Sequence, residues 1–148
     1  MHDLLKSFEF LHELGAHKTP HSGRMLFDHL KGVHDLLRDW DNPEDVCNAG
    51  LFHSIYGTGS FKHQSLMDRA VLVEVIGEYA EGLVQLFSVA RDRPMFDSID
   101  DPLKRVQLME IEAANLLDQG GGRKSLRKLA RMRSLSNGAK AALNSGVV

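Results

Sequence analysis

Eight histidines lie in the first 63 positions of the 148-residue chain: His2, His12, His17, His21, His29, His34, His53 and His63. None follows. Histidine is the commonest metal ligand and the usual acid or base near neutrality, so a chemical site would draw mainly on the first half of the chain. His29 stands three residues after Leu26 and four before Val33, on or beside an apolar stripe, whereas His34 points elsewhere. His53 follows Val46, Ala49 and Gly50 at helical spacing, and these small neighbours leave room beside it. Two inward histidines on consecutive helices could share one pocket. The alternative is that each is a hydrogen-bonded core histidine, the commoner role for buried polar groups. Near the end of the chain, Glu112 and Asn115 share a helix face with Leu108 and Ile111. A buried Asn115 needs a partner, and it serves either as a tie between helices or as a ligand.

His53, Ser54 and Tyr56 form a polar cluster at a helix end. Sequence adjacency does not make Ser54 and His53 a nucleophile and base, since neighbouring helical residues diverge by about 100°. Ahead of the second helix, His21 and Arg24 flank Ser22 and Gly23. Arg24 near a helix start suits a phosphate or carboxylate, with His21 beside it, or is simply solvated.

These residues need helices to position them. Residues 2–14 read as a first helix stopped by Gly15, with Leu4, Leu5, Phe8 and Leu11 on one face. Residues 17–23 are a polar connection. Leu26, Leu30, Val33, Leu37 and Trp40 mark a second helix over 25–40. Asn42 is placed to cap a third helix, with Pro43 at its first position, running through His53. Gly57 to Phe61 reads as a loop. Ser65 is expected to start a fourth helical stretch that reaches Ala90 and breaks near Gly77. Asp101 and Pro102 open a long helix to Gln119, with Val106, Met109, Ala113, Leu116 and Leu117 as its apolar face. Gly120 to Gly122 stop it. A basic helix over 125–135 and one short helix in the tail follow. Persistent alternation is absent, so strands are not expected. The fold class is all-α, a single-domain bundle of about six to eight helices over residues 1–148.

Composition narrows the function classes. Hydrophobic residues make up 43%, enough for a core, and charged residues 26%. No apolar run is long enough for a membrane span, and the opening MHDLLKSFEF lacks an apolar signal region. The lone Cys47 excludes an internal disulfide and any cysteine-based zinc finger, and suits a reducing, cytoplasmic setting. From Arg123 onward there are seven basic residues (Arg123, Lys124, Arg127, Lys128, Arg131, Arg133 and Lys140) and no acidic ones. Such a basic amphipathic segment touches nucleic acid or anionic lipid, or more often lies solvated against acidic neighbours. With a net charge of −2 for the whole chain, a nucleic-acid partner is not expected.

The order of a histidine on one helix, a histidine at the end of the next and an Ala-Asn-x-Leu segment on a late helix resembles the HD-domain superfamily of helical metal-dependent phosphohydrolases. The nearest look is to the hydrolase domain of stringent-response alarmone enzymes. The matching stretches are AHKTPHSGRMLFDHLKGVHDLL, PEDVCNAGLFHSIYGT and EAANLLDQ, within residues 16–119. The chain is also similar to a bacterial family of HD-like proteins of unknown function that carry a Leu-Phe-His-Ser-x-Tyr-Gly-Thr stretch. The resemblance implies that His29 and His53 are the metal histidines and that Arg24 neighbours a nucleotide. It also exposes departures. Ser54 stands for the aspartate of the His-Asp pair and Asn115 for the late aspartate. Ile55, Tyr56, Gly57 and Thr58 replace the alarmone hydrolases' following Glu-Asp. Two imidazoles and two neutral oxygens are a poor site for a hard cation but accept zinc or another late transition metal. Glu112, Asp118 or His21 would be replacement ligands. The implied cofactor is none, or a weakly held divalent transition metal such as zinc, manganese or iron. The implied function is a remodelled HD-like hydrolase of a phosphorylated or nucleotide-like small molecule. The alternative is a non-catalytic module binding a small anionic ligand in the same pocket.

Overall fold

The computed structural model describes residues 3–21, 23–56, 68–121, 123–132 and 134–146. The chain is all-α. Eight helices occur among the described residues: α1 Leu4–Glu13, α2 Leu26–Asp39, α3 Glu44–Leu51, α4 Arg69–Ile76, α5 Glu78–Val89, α6 Pro102–Asp118, α7 Arg123–Ala130 and α8 Asn137–Gly146. No helix among them is long and apolar enough to cross a membrane.

One small departure from pure helix matters to the site. Residues 17–23 are not merely a polar connection. A short 3-10 turn over Ala16–Lys18 leads into a minimal antiparallel hairpin, β1 Pro20–His21 and β2 Arg24–Met25, in which His21 faces Arg24. Two residues per strand are too few for an alternating pattern to show. Gly23 takes a φ of 82°, a backbone conformation that suits glycine and lets the turn close. The amide of Leu26 then donates to Thr19 O at 2.6 Å, fixing the hairpin to the start of α2.

The expected apolar stripe of α2 is buried, from Leu26 to Trp40, and His29 and His34 are buried with it. On α1, Leu11 is buried but Leu5 is exposed and Ser7 takes an inward place. Asn42 does not cap α3: Pro43 occupies that position. The Asn42 amide instead donates to Leu37 O and to Glu110 Oε1 at 3.0 Å, so a tertiary partner outcompetes the cap. α3 also ends at Leu51, two residues short of His53, and Phe52 to Tyr56 form turns. The expected Gly57–Phe61 loop and the Ser65 helix start lie outside the described residues. Asp68 caps α4 by accepting from Ala70 N. Gly77, at φ 90°, separates α4 from α5.

α6 is the centre of the bundle, in contact with α2, α3, α5, α7 and α8. It starts as expected, Asp101 accepting from Leu103 N and Lys104 N with Pro102 at the first position. Its middle is buried on every side from Gln107 to Ala114, whereas Val106, Leu116 and Leu117 are only partly covered. A single apolar face therefore misdescribes it, because a helix ringed by neighbours has no solvent side. Its buried Glu110 is satisfied by Asn42 and by Ser136 N and Oγ, which also joins the start of α8 to the core.

Candidate functional site

α2, α6 and the turns after α3 bring the sequence-selected residues together. His29 lies in the first turns of α2, His53 just beyond α3, and Asn115 near the end of α6. The His29 and His53 rings stand edge to face with centroids 5.3 Å apart. The Nε2 of His29 is 3.0 Å from Asn115 Oδ1, and the Nε2 of His53 is 3.1 Å from the same atom. Their other nitrogens face oxygens too. His53 Nδ1 lies 2.7 Å from Gly50 O, and His29 Nδ1 lies 2.7 Å from Asp118 Oδ2.

The proton count for this arrangement falls short. Burial, with His29 beside it, holds His53 down to about 3, so its ring is neutral at pH 7 and has one N–H for two acceptors. Donation to Gly50 O leaves a bare Nε2 lone pair directed at a carbonyl oxygen. The Asp118 carboxylate faces Nδ1 of His29, which leaves Nε2 directed at Asn115 Oδ1. The Nε2 atoms of both imidazoles thus lie within 3.1 Å of one amide oxygen. Ligands of one tetrahedral cation stand about 1.6 times the metal–ligand bond apart, roughly 3.4 Å, so the 3.0 and 3.1 Å separations need to widen only slightly.

As donors, His29, His53 and Asn115 could hold a late divalent transition metal rather than a hard oxygen-seeking cation. No group of three or more His, Cys, Asp or Glu side chains is placed to hold a metal among the described residues. Asp118, a candidate replacement ligand, sits on the far edge of the His29 ring, where it orients the imidazole instead. Glu112 accepts from Asn115 Nδ2 at 2.9 Å. Burial raises its carboxyl above the usual range, against the hydrogen bond from Asn115 and the charge of Arg93.

The hairpin lays His21 on the site, its ring 4.4 Å from that of His29. Burial and His29 lower the His21 pKa. Arg24, expected to receive an anion, is instead engaged inside the protein. Its Nη2 donates to the Asp118 carboxylate and backbone oxygen. Tyr56 does not join His53 and Ser54. Its hydroxyl donates to Glu81 Oε2 at 2.9 Å, a carboxylate that also receives Arg69 Nε and Nη2.

Beside His53 and Asn115 opens a cavity of about 300 Å³, whose lining includes His21, Ser54, Phe87, Arg93, Glu112 and Gln119. Phe87 packs on the His53 ring, and the Arg93 guanidinium lies over Phe87 at 4.6 Å. Sequence reasoning missed Phe87, Arg93 and Gln119. Arg93 sits in an irregular connection with no periodicity to place it. Gln119 follows directly on Asp118 and could have been found by extending the Asn115 face one turn.

Residues 10–93 match the family described as "Domain of unknown function (DUF6817)". The chain belongs to that family. The matched span takes in His21, Arg24, His29, His53, Ser54, Phe87 and Arg93, and stops before the helix that carries Glu112, Asn115 and Asp118. No curated protein and no solved structure matches the chain.

Proposed function

We propose that this chain is an HD-like protein with a remodelled metal site. It holds one late divalent transition metal on His29, His53 and Asn115, and acts as a hydrolase of a phosphorylated or otherwise anionic small molecule in the adjoining cavity. The observation that carries this reading is the convergence of the Nε2 atoms of His29 and His53 on Asn115 Oδ1, both within 3.1 Å. A cation would turn those contacts into ligation. When bound, a divalent metal supplies Lewis acidity toward a phosphoryl ester. The chain's own residues do the rest. Asp118 fixes the His29 ring, and Gly50 O fixes that of His53. Phe87 excludes water from one side of the His53 imidazole, and the cavity holds the ligand next to it.

Calorimetric titration of zinc into chelator-treated protein tests the reading. One equivalent should bind wild type, and His29→Ala and His53→Ala should each reduce affinity at least a hundredfold. An absence of uptake, or uptake unaffected by His53→Ala, contradicts it.

A second reading, a metal-free binding module, is favoured by one feature. If the Asn115 amide is reversed, its two N–H groups donate to both Nε2 atoms, and its oxygen then faces Glu112. A protonated Glu112 would donate to it, and burial pushes Glu112 in that direction. Every group is then satisfied without a cation, and the same cavity remains for a ligand.

A further inference from the structure

Two residues of the cavity lining each carry a buried polar atom with no hydrogen-bond partner among the described residues: Ser54 Oγ and His21 Nε2. Ser54 is 2% exposed, so bulk water does not satisfy it. Buried hydroxyls without a partner are rare, and each calls for an explanation. A third group on the same wall has hydrogen-bonding capacity to spare. The Arg93 side chain is 34% exposed and makes no hydrogen bond among the described residues. Its nearest carboxylate oxygen, Glu112 Oε2, stands 3.9 Å from Nε, beyond hydrogen-bond reach. The guanidinium rests over the Phe87 ring, its Cζ 4.6 Å from the centroid. A planar fork with free N–H groups, beside an enclosed hydroxyl, has the chemistry that recognises two oxygens of one anion.

We propose that Arg93 anchors an oxyanion, carboxylate or phosphoryl, of a small ligand in this cavity, with Ser54 Oγ donating to the same group. Arg24 does not do so, because its guanidinium already holds Asp118. The cavity volume lies at the low end for small-molecule sites, and Phe87 and Leu116 offer the ligand a short apolar wall. The His21 Nε2 then meets a second polar group of the ligand. This inference rests on the reading of the cavity as a ligand site, but it does not require the metal.

The test is calorimetric binding of inorganic phosphate and of propionate to the full chain, in chelator and again with one equivalent of zinc. Either anion should bind wild type. Arg93→Gln should weaken it at least tenfold, Arg93→Lys less, and Ser54→Ala severalfold. Arg24→Gln should leave anion affinity in chelator within about threefold. A preference for phosphate or for propionate names the source of the oxyanion. Arg93→Gln removes no hydrogen bond within the described protein, only the contact with Phe87 and the longer ion pair with Glu112, so the unliganded protein should stay folded with a melting temperature lowered by a few degrees at most. The proposal is overturned if neither anion binds, if wild type and Arg93→Gln respond equally as to a general salt effect, or if Arg24→Gln abolishes binding in place of Arg93→Gln. Zinc uptake measured in the same Arg93→Gln protein keeps the two readings apart. Uptake with loss of anion binding supports both. Arg93-dependent anion binding without zinc uptake supports this inference and rejects the metal.

Discussion

Asp118 Oδ2 lies 2.7 Å from His29 Nδ1, although eighty-nine positions separate the two residues in the chain. Gly32, one turn beyond His29 on α2, makes the approach possible: a Cβ there would stand 2.1 Å from Asp118 Oδ1. Arg24 holds the same carboxylate from the hairpin. The aspartate therefore fixes the orientation of the imidazole. Such outer partners typically govern metal affinity by about 10–100-fold.

Two substitutions follow from that relationship. Asp118→Ala should lower zinc affinity by about 10–100-fold while leaving His29, His53 and Asn115 in place. Gly32→Ala should do the same by pushing the carboxylate aside. Its effect on stability should stay within about 1 kcal/mol, because better helix propensity, worth about 1 kcal/mol, offsets the lost contact. Zinc calorimetry and urea unfolding measure the two effects separately.

The change Asn115→Asp adds a negative charge that would offset that of a bound cation. In chelator it should lower the melting temperature, since a half-buried carboxylate is poorly solvated beside Glu112. With added zinc or manganese it should melt above wild type. Thermal scans of both proteins with and without metal show whether the two effects have opposite signs.

Much of this arrangement was legible in the sequence, for identifiable reasons. The α2 stripe and the Asp101–Pro102 start of α6 are local signals, carried by spacing and capping chemistry, and the structure contains both. Asn42 shows where local signals fail. Its side chain suits a cap, but Glu110 of α6 offers a partner that no local pattern reveals. α6 itself defeats a one-face reading because five helices surround it. The proximity of His29, His53 and Asn115 came from the order of motifs along the chain. The position of Arg93 depends on the path of an irregular segment, and nothing in its neighbours' spacing encodes that path.

His53 sets one part of the acid response. Its folded value of about 3 lies below the ordinary value of 6.5. Below pH 6.5 the unfolded chain takes up a proton that the folded chain refuses, so stability falls as pH falls, down to about 3. The limiting slope is about 1.4 kcal/mol per pH unit. Urea unfolding between pH 7 and 4 should show this loss, and His53→Gln should remove that share of it.

Glu81 sets another part. It is 2% exposed, receives Arg69 Nε at 2.7 Å and Nη2 at 2.8 Å, and also accepts from Tyr56. The hydrogen bonds from Arg69 hold its carboxyl below the usual range against the opposing effect of burial. A depressed carboxyl stabilises the fold above its unfolded value, near 4.3, and the gain is lost as pH falls through the folded value. Arg69 is largely exposed, which moderates the pair. Glu81→Gln should cost about 1–3 kcal/mol at pH 7 and much less at pH 3, read by unfolding at the two pH values.

The central claim is that two bare imidazole nitrogens face one point beside Asn115. Nitrogen-15 NMR of the histidine side chains in chelator-treated protein at pH 7 measures this directly. Both His29 and His53 should carry their proton on Nδ1 and show an unprotonated Nε2, and one equivalent of zinc should shift both Nε2 resonances together. A proton on either Nε2, or zinc addition that leaves the two resonances unmoved, would contradict the account.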